Sequence, residues 1–167
     1  MAARRSVVER EMIALLPRLR RFALALCKTQ DVADDLVQET CERAITRAEQ
    51  FEEGTRLDRW MFSIMSSRWK NHLRSQKVRA ADSDDEVLTT IIDERESGRA
   101  ERLQALSEVE RALLRLPLDQ RETLMLTSIE GLSYREAAET LDVAIGTVMS
   151  RVSRARLTLA GELGAGA

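Results

Sequence analysis

The sequence predicts an all-α fold of two small helical domains joined by an acidic linker, and three observations carry that expectation. Glycine and proline are scarce, with 7 Gly and 2 Pro in 167 residues, and alternating β-branched runs are almost absent, which disfavours strands. Apolar residues recur at helical spacing in both halves of the chain. Between the halves, residues 79–99 (RAADSDDEVLTTIIDERESGR) are acidic and weakly periodic, as a connector would be. The expected boundaries are 1–78 for the first domain, 79–99 for the linker, with a short ordered piece near 87–92, and 100–167 for the second.

The first domain reads as successive helices. Leu15, Leu16, Leu19, Phe22, Ala23 and Leu26 form one stripe. After the break KTQ, Asp31 is the expected N-cap of a second helix. Leu36, Val37, Thr40, Cys41, Ala44 and Ile45 make its apolar face, and Asp35, Gln38, Glu39, Glu42 and Arg43 its polar one. FEEGTRL at 51–57 is a loop marked by Gly54. Asp58 is placed to cap a third helix, RWMFSIMSSRWKNHLRSQ, whose Trp60, Met61, Ile64, Met65, Trp69 and Leu73 include core positions.

The second domain is punctuated more sharply. A helix over 101–116 ends at Pro117. Asp119 with Glu122 resembles a capping box opening a helix through Leu124, Leu126 and Ile129, and Gly131 stops it in the left-handed conformation. Ser133 with Glu136 is a second box. That helix packs through Ala137, Ala138 and Leu141, turns at Asp142, which tolerates the left-handed region, and leads into a longer helix over about 145–159.

Composition narrows the function. Hydrophobic residues are 44% and charged residues 32%, with net charge −2, which suits a soluble globular chain. Apolar runs are too short for a bilayer and the N-terminus is a poor signal peptide, so a cytoplasmic protein without membrane insertion is expected. Cys27 and Cys41 read as small buried thiols. With a single histidine, His72, neither a metal site nor a cofactor is expected. No nucleophile elbow or carboxylate pair marks a catalytic site, so an enzyme is not expected either. Charge is segregated, however. Residues 59–80 carry Arg59, Arg68, Lys70, Arg74, Lys77 and Arg79 without one acid, whereas residues 31–58 and 81–110 are acidic. One basic face can meet phosphate while acidic faces meet another partner.

The stretch LSYREAAETLDVAIGTVMSRVSRAR at 132–156 then reads as a helix-turn-helix. Small Ala137 and Ala138 permit a close crossing, and Leu141, Val143, Val148 and Val152 supply the grip. Thr147, Ser150, Arg151 and Arg154 are left outward, as a major groove requires. Gly146 lets the helix N-terminus approach a phosphate. The plainer alternative is an αα-hairpin with a solvated basic face. The capping boxes, the small residues at the crossing and the acid-free run 146–161 favour DNA.

GLSYREAAETLDVAIGTVMSRVSRAR resembles the fourth region of bacterial sigma factors of the extracytoplasmic-function type. ADDLVQETCERA at 33–44 is similar to that family's second region, and RWMFSIMSSRWKNHLRSQ to the helix after it. The resemblance covers nearly the whole chain in order and spacing. It implies partners: core RNA polymerase, engaged at its β′ coiled coil and β flap, promoter DNA and a dedicated anti-sigma factor. It implies that Asp35, Gln38, Glu39 and Glu42 dock on polymerase. It implies that Trp60, Ser67, Arg68, Lys70, Asn71 and Arg74, with the loop 51–57, melt and hold the minus-10 element. Gly146, Thr147, Ser150, Arg151 and Arg154 would read the minus-35 element, with Arg151 and Arg156 serving the backbone. The chain departs from many relatives at Ser67, where Asn is frequent, and at Met149, where Lys or Arg is. The competing readings are a helix-turn-helix regulator acting without polymerase, and a sigma mimic that only binds a regulator.

Overall fold

The computed structural model describes residues 2–82 and 107–164, and every described element is helical or a turn. Helices α1 (Ala2–Cys27), α2 (Gln30–Thr46) and α3 (Leu57–Asp82) form the first half. Helices α4 (Glu108–Arg115), α5 (Leu118–Leu124), α6 (Tyr134–Leu141) and α7 (Ile145–Gly164) form the second. Residues 79–82, the start of the expected linker, continue α3. Residues 83–99, the piece near 87–92 and the start of the helix expected over 101–116 lie outside the described residues.

The first half is a three-helix bundle. The chain turns back between α1 and α2 through Lys28, which takes a positive φ of 67°. Arg4 near the start of α1 reaches Glu49 and Glu53 beyond the end of α2, and Arg20 reaches Asp34, so the two helices run antiparallel. Leu19, Phe22, Ala23 and Leu26 of α1 are buried against Leu36 and Ala44 of α2 and against Met61, Phe62 and Met65 of α3. Phe22 and Phe62 meet edge to face with centroids 5.1 Å apart, a favoured aromatic geometry. The Arg18 guanidinium sits 5.4 Å above the Phe62 ring.

Capping differs from the sequence expectation in an informative way. Thr29, not Asp31, is the N-cap of α2, and Asp31 lies in its first turn, where a carboxylate still opposes the positive helix end. Asp58 lies inside the first turn of α3, not at its cap. It accepts hydrogen bonds from Arg18 at 3.0 Å, Arg56 at 2.8 Å and the Arg59 amide at 2.9 Å. No capping box opens α5, whose N-cap is Pro117, because the Glu122 carboxylate is turned toward α3. The box at α6 is half formed: the Ser133 hydroxyl accepts from the Glu136 amide, while the Glu136 carboxylate serves Arg56. A complete box, Ser107 with Glu110, opens α4.

The second half folds around α7. Val148, Val152 and Ala155 are buried against Ala137, Ala138 and Leu141 of α6 and Leu124 and Leu126 of the α5 segment. The α5 segment passes into a π-helical turn, Met125–Ile129, and stops at Gly131 with φ +73°. Asp142 turns α6 into α7 in the left-handed region at φ 54°, as its short polar side chain permits. One continuous apolar cluster includes residues of both halves, so the halves pack on each other.

Burial alone would raise the pKa of Asp58. Hydrogen bonds from Arg56, the Arg59 amide and Arg18 outweigh it and hold the carboxyl below its ordinary value. A depressed folded pKa gives stability that is complete above the unfolded pKa of about 4 and is lost as pH falls through the folded value. Asp58→Asn should therefore lower the thermal midpoint at pH 7. The gap from the parent chain should close as pH falls below about 4 in a calorimetric pH series.

Candidate nucleic-acid interface

Two surfaces gather the side chains that the sequence singles out. The first lies between α2 and α3. A cleft of about 360 Å³ is lined by Arg43 of α2 and Arg47 at its C-cap and by Trp60, Ser67, Arg68 and Asn71, with Ser63 and Ile64, from α3. Trp60 is half-buried against Phe51 at 5.3 Å between centroids, so it packs the wall as well as facing the cleft. Asn71 and Arg74 are exposed. Lys70 is on another side of α3, bound to Glu122 at 2.7 Å. The cleft thus brings together Trp60, Ser67, Arg68 and Asn71 but not Lys70 or Arg74.

Arg43 and Arg47 are the additions here. The sequence pattern puts Arg43 on the acidic docking face and does not single out Arg47. Arg47, at the C-cap of α2, follows Arg43 by four residues, so the two share a side, a signal that extending the helical pattern one turn past Ile45 would have found. A neighbouring recess of about 230 Å³ is lined by Glu39, Glu42, Thr46, Arg43, Arg47 and Arg68. The Arg68 guanidinium donates to Glu39 at 2.7 Å. The acidic face on α2 and the basic cleft are therefore contiguous, and Arg68 joins them. Asp35, Gln38, Glu39 and Glu42 are exposed, and Gln38 donates to Glu42 at 3.1 Å.

The second surface is the outer side of α7. Gly146, Met149, Ser150, Ser153, Arg154 and Leu157 are exposed. Thr147 is half-buried, and Arg151, 20% exposed at its side chain, leans 3.7 Å from Asp119, so Arg151 faces inward more than the pattern predicts. A Cβ on Gly146 would touch nothing in the protein, which leaves open space at the start of α7.

Between the surfaces runs an ionic seam. Glu130, buried after the π turn, accepts from Arg18 Nε at 2.8 Å and from Arg21 Nη2 at 2.8 Å. Burial opposes the Arg18 charge, but its bonds to Glu130 and Asp58 outweigh that and raise its pKa. Glu122, also buried, accepts from the Ser66 hydroxyl at 2.8 Å and pairs with Lys70. Arg56 reaches Glu136 at 2.6 Å, and Arg59 pairs with Glu139. Arg121 is buried and donates to the carbonyls of Ala25 and Leu26 at the end of α1 and of Leu116. Those carbonyls satisfy the guanidinium where water is excluded, although burial still lowers its pKa. Several cations of the first half, Lys70 and Arg59 among them, are thus answered by carboxylates of the second.

Among the described residues no cluster of metal-ligating side chains occurs and no helix is long and apolar enough to cross a membrane. Cys27 and Cys41 are free and half-buried, more accessible than the sequence expectation of buried thiols. Burial pushes the Cys27 thiol up to about 12, so it is a poor nucleophile at neutral pH.

The fold is that of an all-α, helix-turn-helix protein of two helical halves. Residues 106–159 match the family described as Sigma-70, region 4, and residues 12–66 the one described as Sigma2 domain of PhyR. The chain is 37% identical over 153 residues to the ECF RNA polymerase sigma factor EcfG of Rhodopseudomonas palustris (strain TIE-1), spanning 92% of this chain and 83% of that protein. It is 31% identical over 147 residues to the ECF RNA polymerase sigma factor SigM of Mycobacterium tuberculosis (strain ATCC 25618 / H37Rv), spanning 88% and 72%. Among solved structures, the sigma factor RpoE, crystallised with the anti-sigma factor NepR from Bartonella quintana, matches with a TM-score of 0.76 and 31% identity over 93% of this chain and 96% of that one. CnrH, solved with the cytosolic domain of CnrY, shares the fold at a TM-score of 0.60 and 23% identity. The chain belongs to the extracytoplasmic-function (ECF) RNA polymerase sigma factors.

Removing one partner of the seam leaves buried charge unpaired. Glu130→Gln should weaken the contact between the halves by roughly 2 kcal/mol, less than for a wholly buried pair because Arg21 is half exposed. Faster amide exchange at the α1–α5 contact, with α7 unchanged, is the expected readout.

Proposed function

We propose that the protein is a promoter-specificity subunit, which binds core RNA polymerase and directs initiation without catalysing a reaction itself. The observation that carries this reading is the presence in one sigma-family chain of two distinct nucleic-acid faces: an open recognition helix, and an arginine-lined cleft beside an acidic docking face. Asp35, Gln38, Glu39 and Glu42 dock on the β′ coiled coil, as an acidic stripe suits a basic helix, with the β flap as a second contact. Trp60, Ser67, Arg68, Asn71 and Arg74, aided by Arg43 and Arg47, hold the opened minus-10 strand through stacking and phosphate contacts. Lys70 joins them once freed from Glu122. Gly146, Thr147, Ser150 and Arg154 read the minus-35 element, and Arg151 holds its backbone.

Geometry adds a requirement. The two elements are roughly 25 base pairs apart, or about 85 Å at 3.4 Å per step. A compact body of this size has a radius of gyration of roughly 15 Å and is about 40 Å across. The closed arrangement cannot serve both elements, so the working form separates the halves and frees Lys70 and Arg59. An inhibitor would exploit the closed form. A groove of about 670 Å³, lined by Leu16, Pro17 and Leu24 from α1 and by Leu113, Met125 and Ile129 from the second half, exists only while the halves are together. An anti-sigma helix seated there would hold them so. The sigma mimic is the second reading worth keeping, because residues 12–66 match the Sigma2 domain of PhyR. Exposed Ser150 and Arg154 argue for DNA instead.

Run-off transcription from a randomised promoter library with bacterial core polymerase decides between the readings. Protein-dependent transcripts sharing a two-part upstream sequence are expected; a folded chain that stimulates none removes the sigma reading. Glu39→Lys with Glu42→Lys should abolish polymerase capture in a pull-down. Arg154→Ala should leave capture intact and weaken promoter-specific binding by about 1–3 kcal/mol.

A further inference from the structure

The recognition helix carries apolar side chains on its open surface. Ile145 is 43% exposed, Met149 51% and Leu157 71%. They occupy every fourth position with Ser153, so they form one row along α7. Ser150 and Arg154 lie beside that row and are exposed as well. The packing of the halves, which ties up Lys70 and Arg59, leaves this side of α7 open. No acid occurs on α7 before Glu162, so its charged residues up to that point are the arginines Arg151, Arg154 and Arg156.

A thioether has little to offer the polar edges of base pairs. Pressed against a carbonyl or amino group, it would strip water from that group and return no hydrogen bond. The major groove holds one apolar group on a standard base edge, the C5-methyl of thymine. Met149 is in the second turn of α7, in the N-terminal part that meets base edges in helix-turn-helix complexes. Its unbranched, flexible side chain can follow a methyl of uncertain height.

We infer that Met149 is a specificity-determining residue that reads a thymine methyl in the upstream promoter element, with Ile145 flanking it. This rests on the sigma-factor reading above. It replaces a charge-based contact with an apolar one, so its share of binding is insensitive to salt, unlike that of Arg154. From Met149 to Arg154 is roughly 7.5 Å along the helix axis, or about two base pairs. The thymine, on either strand, therefore lies about two base pairs from the position that Arg154 reads.

The test uses the full chain in holoenzyme and the upstream element selected by the run-off library. The same duplex is made with uracil in place of each thymine of that element, which removes the methyl and keeps the pairing. Binding is followed by fluorescence anisotropy. The parent should bind the uracil duplex about four-fold more weakly for each methyl touched. Met149→Ala should lose the same factor on the thymine duplex and become indifferent to uracil. Met149→Leu should restore the sensitivity, and Arg154→Ala should retain it. A parent indifferent to uracil, a Met149→Ala chain as sensitive as the parent, or a selected element without thymine overturns the inference while leaving the sigma reading standing. Weaker polymerase assembly by Met149→Ala, with the thymine-to-uracil ratio unchanged, also overturns it and makes the row a protein contact. Failure to select any element removes both.

Discussion

Two buried carboxylates, Glu122 and Glu130, hold the molecule in its closed form. Each comes from the second half and is satisfied by groups of the first: Ser66 and Lys70 for Glu122, Arg18 and Arg21 for Glu130. A buried carboxylate without partners costs several kcal/mol, so these contacts fix how the halves meet. Arg121 works in the opposite direction, sending a buried cation from the second half into the carbonyls that end α1. The apolar contacts beside them have no direction of their own.

The ionic seam sorts the proposed nucleic-acid faces. It covers the side of α3 that carries Ser66 and Lys70 and leaves open both the α2–α3 cleft and the outer side of α7. The basic run over residues 59–80 is thus split by the helical period into a covered face and a free one. In the proposed cycle, polymerase and promoter draw the halves apart, and an inhibitor in the groove between α1 and the second half keeps them together. In that proposed cycle the pairing of Arg68 with Glu39 adds a local link, since capture of Glu39 by polymerase would leave Arg68 to a phosphate.

The all-α class, the helix-turn-helix and its grip were legible in the sequence because they rest on local rules. Gly131 and Asp142 take the left-handed conformations their residue types favour, and Ala137, Ala138, Val148 and Val152 are buried as their spacing predicts. What escaped is long-range. Glu122 and Glu136 each fit a local capping pattern, but partners some 50 to 80 positions away, Ser66 for Glu122 and Arg56 for Glu136, bind their carboxylates instead. Arg151 was expected outward and is drawn toward Asp119. A one-dimensional pattern ranks which faces are polar. It does not say which polar face of one domain answers that of another, and the extra turn of α3 through Asp82 similarly continues into residues whose composition reads as linker.

The most direct test of the closed-to-open account is a distance across the seam. Paired labels at exposed Thr55 and Arg135, which adjoin the Arg56–Glu136 pair that crosses the seam, in a chain with Cys27 and Cys41 replaced by Ala, would be followed by pulsed electron resonance in the free protein and in holoenzyme on promoter DNA. The account predicts one short distance in the free chain, a broader and longer distribution in the Glu122→Gln, Glu130→Gln double variant, and a single long distance on the promoter. The same short distance in the promoter complex, or a free chain already as extended as the double variant, would contradict it.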